Sequence, residues 1–70
     1  METLEGTAQS VVFAAPEGGF TVFRLRPAGG RGLVTVTANA PAPLVGQEIA
    51  LSGEWVQHPR FGEQFKAATL

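Results

Sequence analysis

The chain has 70 residues, of which 44% are hydrophobic and 16% charged, and its net charge is −1. This length allows one domain with a small core, and the composition excludes the charge-rich, apolar-poor class of disordered segments. Five basic residues against six acidic ones also argue against the strongly basic footprint of a high-affinity nucleic-acid binder, and leave weak or partner-assisted binding open.

The first predicted strand covers about residues 3–13 and is longer than an average strand. Its residues change parity near Ser10, with Leu4 and Ala8 on one parity and Val11 and Phe13 on the other, which predicts a bulge or sharp bend there. A proline and two glycines within 16–19 then predict a tight reversal into the next strand.

The second and third predicted strands, 20–26 and 33–38, flank a glycine-rich loop at 27–32. In the second strand, Phe23 and Leu25 share the inward parity. The outward positions that we single out on these two strands are polar: Arg24, Arg26, Thr35 and Thr37.

Two prolines within 39–47 prevent a central strand there, and the span is too short for a proper helix. The fourth strand follows with the clearest alternation in the chain, which places Ile49, Leu51 and Trp55 inward. We therefore expect Trp55 to pack in the core, and its fluorescence to change very little when a ligand binds. The alternative is that Trp55 is exposed and stacks on a ligand. A proline-to-glycine turn at 58–62 leads into a fifth strand at about 64–69.

Five strands with one apolar face are too few for a sandwich, so closure into a barrel is the favoured way to bury that face. The predicted fold class is all-β: a small five-stranded OB-type barrel, with the helix between strands 3 and 4 absent or reduced to a turn. Residues 1–70 are expected to form this single domain, monomeric in isolation.

No catalytic constellation is visible, since the chain has one histidine, no cysteine and no phosphate-binding glycine motif. We therefore expect no catalytic residue, no metal site and no cofactor in this chain. His58 has no second His or Cys to complete a coordination shell, so a turn role is favoured over metal binding. The amino terminus lacks the features of a secretion signal and no stretch suits a membrane span, which predicts a cytoplasmic protein without membrane contact.

Two groups of residues are candidates for contact with single-stranded DNA. Arg60 and Phe61 sit at the last turn, where the guanidinium would meet a phosphate and the ring a base. The alternative is that Phe61 plugs the barrel end and Arg60 is solvated. The second group consists of outward side chains that would follow a nucleic-acid backbone, or equally would form an ordinary solvated face: Arg24, Arg26, Thr35 and Thr37.

The region of strands 4 and 5 is more acidic, with Glu48, Glu54 and Glu63, and would repel phosphate. A protein partner suits this side better. The sequence therefore keeps two binding hypotheses open, single-stranded DNA and a protein-docking surface.

Several motifs along the chain resemble one family. They lie at 4–7, 19–22, 45–49 and 51–55, and the most specific is the run Gly-Glu-Trp-Val-Gln-His-Pro-Arg-Phe-Gly-Glu-Gln-Phe at 53–65. Together they resemble the N-terminal OB-fold domain of RecD-like ATP-dependent DNA helicases, the exodeoxyribonuclease V alpha subunit type with the long N-terminal form. Matching motif positions are Phe20, Trp55, His58, Pro59, Gly62 and Phe65.

The resemblance implies that the chain is the first module of a larger 5′-3′ helicase of DNA repair or recombination. ATP and magnesium would then belong to motor domains outside this chain. The module itself would be a non-catalytic accessory with weak contact to single-stranded DNA. The alternatives are docking to the motor domains or to a repair protein, and a purely structural role as a spacer.

Overall fold

The computed structural model describes residues 1–30 and 32–69, so Arg31 of the glycine-rich loop and Leu70 lie outside the described residues. Five strands form one closed barrel, in the spatial order β1-β2-β3-β5-β4. Their bounds are β1 Glu2–Ala14, β2 Thr21–Pro27, β3 Val34–Ala38, β4 Glu48–His58 and β5 Gly62–Thr69. The predicted fold class, an all-β OB-type barrel of five strands, is confirmed.

The long first strand is what allows so few strands to close. β1 pairs with β4 along its first half and with β2 along its second half, and Gly6 has partners on both. A Cβ at Gly6 would overlap the carbonyl oxygen of Arg26, so only glycine permits this approach. The register with β2 shifts between Ala8 and Ser10, which confirms the predicted bulge, and shifts again between Val11 and Phe13.

A parallel pairing between β3 and β5 completes the barrel over three residue pairs, from Val36–Phe65 to Ala38–Ala67. The other neighbouring strands in the ring are antiparallel. The core consists of inward side chains from β2, β3, β4 and β5: Phe23, Leu25, Val36, Ala38, Leu51, Phe65 and Ala67. Burial of these side chains supplies most of the hydrophobic stabilisation of a domain this small.

Loops lie at both ends of the barrel. The β1–β2 turn and the 39–47 connector share one end, because Thr21 pairs with Ala38. The described residues of the β2–β3 loop, 28–30 and 32–33, and the 59–61 turn share the other end, since β3 and β5 are parallel and both begin there. The connector contains a turn with φ of 93° at Gly46 and no helix, as predicted. In the described ranges no helix has the length and hydropathy needed to cross a membrane.

Two aromatic side chains are more exposed than the sequence indicated. Phe13 is 51% exposed, because the second register shift turns the end of β1 outward. Trp55 was expected in the core, yet it lies at the barrel end with 36% of its surface exposed. Its ring contacts the buried Phe65 edge to face, with centroids 5.1 Å apart.

Candidate nucleic-acid interface

A concavity with a volume of about 500 Å³ lies on the outer side of β2 and β3 and reaches both ends of the barrel. This volume falls within the ~300–1,000 Å³ of typical ligand sites. We call it the phenylalanine face; its principal residues are Phe13, Phe20, Arg24, Thr35, Thr37 and Phe61. It therefore presents aromatic rings, hydroxyls and one guanidinium group to the same space.

Two phenylalanines form the part of this face near the β1–β2 turn. The ring centroids of Phe13 and Phe20 are 6.3 Å apart, with the planes tilted by 49°. The buried Thr21 hydroxyl donates a hydrogen bond of 2.9 Å to the carbonyl oxygen of Phe13. This bond fixes the backbone of Phe13 although its side chain faces solvent. Exposed phenyl rings held in place are the platforms on which nucleic-acid bases stack.

The opposite part of the face is built by the 59–61 turn. His58 Nδ1 accepts hydrogen bonds from the backbone N–H groups of Arg60 and Phe61, at 3.0 and 3.1 Å. Its ring also lies 4.8 Å from that of Phe61, centroid to centroid. Phe61 is 69% exposed, so it is not buried as a plug. The histidine thus holds an aromatic side chain out towards solvent.

Positive charge is sparse on this surface. Arg24 is the one charged side chain among the described residues that line the concavity. The Arg60 guanidinium carbon lies 6.0 Å from the centre of the Phe61 ring, at the margin of a cation–π contact, and therefore sits beside the face. Arg26 lies outside it, where its Nε donates a 3.2 Å hydrogen bond to Gln9 Oε1. Binding here would depend more on stacking than on charge.

A family model described as "ATP-dependent DNA helicase YrrC, OB-fold domain" matches residues 1–70, the whole chain. The chain belongs to this family. The match confirms the resemblance to OB-fold domains of RecD-like helicases that the sequence motifs indicated. Comparison with curated proteins finds no match, and comparison with solved structures finds none either.

In this YrrC-type OB-fold domain, four of the six residues singled out from the sequence converge on one surface: Arg24, Thr35, Thr37 and Phe61. Arg60 lies next to that surface and Arg26 does not line it. Whether any of them binds nucleic acid stays a prediction. Sequence reasoning missed the contribution of Phe13 and used Phe20 only as a motif position. The strand alternation, continued back from Arg24 through Val22, would have placed Phe20 outward.

The family motif residues near the last turn have clear structural roles. His58 orders the turn through its two accepted hydrogen bonds, and Gly62 has a φ of 81°, a left-handed conformation that favours glycine. Phe65 is fully buried beneath Trp55. These positions therefore shape the loop and the barrel end.

Proposed function

We propose that this domain is a non-catalytic accessory module of an ATP-dependent DNA helicase and that its phenylalanine face contacts single-stranded DNA. The observation that supports this most strongly is the convergence of three exposed phenylalanine rings around Arg24. Exposed phenyl rings are unfavourable in water and are expected where a ligand covers them. Bases of any sequence present a π face, so such a surface binds single strands without reading sequence.

The sparse charge makes this a weak contact that assists a motor rather than an independent clamp. If Arg24 and Arg60 each neutralise one phosphate, the slope of log K against log salt is about −1.4, because each phosphate of a single strand contributes about −0.7. ATP hydrolysis and magnesium belong, in this proposal, to motor domains elsewhere in the helicase. The setting would be cytoplasmic DNA repair or recombination.

Fluorescence anisotropy of labelled oligo-dT tests the proposal, with salt varied from low to moderate concentration. Replacing Arg24 with glutamine should weaken binding at low salt and reduce the salt slope by about 0.7. Arg26→Gln is the matched control, since it removes the same charge two residues away but outside the concavity. Absence of binding at about 0.1 mM protein and low salt, the weak end of non-specific affinities, would refute DNA contact by this domain.

A protein-docking role is the second candidate, and a different surface supports it. Leu44 and Val45 are strongly exposed apolar neighbours on the connector. This segment is held against β1, where the Gly46 N–H donates to the Ala8 carbonyl at 2.8 Å. The acidic Glu48 follows close by, which disfavours DNA there. Leu44→Asp should then weaken association with helicase motor domains in a pull-down while leaving oligonucleotide binding unchanged.

A further inference from the structure

A second cavity, of about 480 Å³, opens at the barrel end where the described residues of the β2–β3 loop and the 59–61 turn lie. We call it the tryptophan pocket; the residues important to its chemistry are Leu4, Pro27, Leu33, Thr35, Trp55 and Glu63. The partly exposed indole of Trp55 provides an aromatic surface, and Leu33 and Pro27 add apolar wall. Glu63 is the charged group among the described residues that line it.

This pocket and the phenylalanine face meet at Thr35, which lines both. The reason lies in the pairing of β3 with β5, which begins at Val36 and Phe65. The preceding residues of the two strands, Thr35 with Gln64 and Val34 with Glu63, are not paired with each other in the described structure. The ladder between the two strands therefore does not reach this end of the barrel, and Thr35 borders both concavities there.

We infer that the tryptophan pocket receives one further base of the same DNA strand, an inference that rests on the proposed function. The pocket prefers a base that carries an exocyclic amine. The base stacks on Trp55, and the Glu63 carboxylate accepts a hydrogen bond from the amine. Carboxylates accept from the N4 amine of cytosine in this way, whereas thymine has no such donor. A carboxylate repels phosphate, so this pocket suits the base and leaves the backbone outside.

Continuity with the phenylalanine face favours a base over a protein side chain. A lysine or arginine would also suit an indole beside a carboxylate. However, the pocket adjoins the phenylalanine face, which carries Phe20, Arg24 and Phe61. Because Thr35 borders both cavities, a single strand that lies on these rings can extend past Thr35 to the indole.

Trp55 is the single tryptophan of the chain, so intrinsic fluorescence reports on this pocket alone. The experiment titrates the domain at neutral pH with oligo-dC and with oligo-dT of about eight nucleotides, within the ~4–16 that one OB fold covers. Anisotropy of the labelled oligonucleotides is followed in parallel. We expect oligo-dC to quench Trp55 and to bind about five-fold more tightly than oligo-dT, as one base-specific hydrogen-bonded contact implies.

Glu63→Ala removes the acceptor and should reduce this preference to within about two-fold, less than the weakest base-specific contact supplies, while oligo-dT binding remains. Glu48→Ala makes the same change on an exposed residue that does not line either cavity, and should keep the preference. If both oligonucleotides bind by anisotropy but Trp55 fluorescence does not change, or if the preference survives in Glu63→Ala, the inference is wrong and the phenylalanine face stands alone.

A basic tripeptide, Lys-Ala-Lys, serves as the competing ligand. Quenching of Trp55 by this peptide and by neither oligonucleotide would overturn the inference in favour of a protein side chain. Absence of any oligonucleotide binding by anisotropy is a different result, because it removes the proposed function itself. The two readouts therefore separate failure of the pocket from failure of the face.

Discussion

Replacing Phe61 with alanine tests the phenylalanine face most directly. Phe61 is the most exposed of its three rings and lies at the tip of a turn, so its removal takes away a stacking platform without opening the core. Truncating a stacked aromatic side chain costs about 1–3 kcal/mol per base. Because Phe61 is supported mainly by the His58 ring, we expect the lower part of this range, a roughly five- to ten-fold rise in Kd.

Anisotropy with labelled oligo-dT at low salt measures this change, and urea unfolding measures stability in the same variants. The free energy of unfolding should shift by no more than about 0.5 kcal/mol, as for other exposed positions. Leu44→Ala is the matched control, since Leu44 is 76% exposed and lies on the connector, outside the residues that line the phenylalanine face. Its oligonucleotide affinity should equal that of the unaltered domain.

Phe61→Trp complements the truncation because it enlarges the aromatic surface, and it should bind at least as tightly as the unaltered domain. Equal affinities for Phe61→Ala and the unaltered domain, with unchanged stability, would show that no base stacks on this ring. Equal losses in Phe61→Ala and Leu44→Ala would also contradict the reasoning, since a non-specific effect would then explain both.

Three further outcomes follow from the geometry. Gly53→Ala should lower the free energy of unfolding by about 3 kcal/mol or more, because its Cβ would overlap a backbone carbonyl of β5. Gly29→Ala, whose Cβ would meet no atom of the described residues within 4 Å, should be nearly neutral in the same urea titration. His58→Ala should weaken oligo-dT binding and cost about 1 kcal/mol of stability, whereas His58→Asn keeps a side-chain acceptor for the turn and should lose less. Thr21→Val should cost about 1 kcal/mol and broaden the NMR signals of the Phe13 ring, and Thr21→Ser should restore both.

The strands and their inward faces were predictable because short-range alternation decides them. Phe23 and Leu25 alternate with arginines on β2, and both of these side chains are fully buried. The turns were predictable for a similar reason, since Gly18 and Gly62 supply the positive φ values that these reversals need. The bulge in β1 followed from the parity change of its apolar residues.

The site was harder to predict because it depends on pairing between distant strands. Phe13 faces solvent only because β1 undergoes a second register shift against β2. The alternation of residues within one strand does not reveal how many register shifts its pairing contains. Trp55 has inward parity, but it lies at the barrel end where β3 and β5 are not paired, so part of its ring stays exposed. Neither exposure can be predicted from alternation alone, because alternation treats a curved, closing sheet as a flat one.

The double role of β1 has a consequence for how the chain folds. Its second half pairs with β2, its neighbour in sequence, whereas its first half must wait for β4, which is formed from the second half of the chain. A hairpin can therefore form early, but the barrel closes only after long-range contacts are made. Chains dominated by such contacts fold in milliseconds to seconds, much more slowly than helical bundles. During that interval β1 remains an open edge, and nascent chains would be most prone to associate through it.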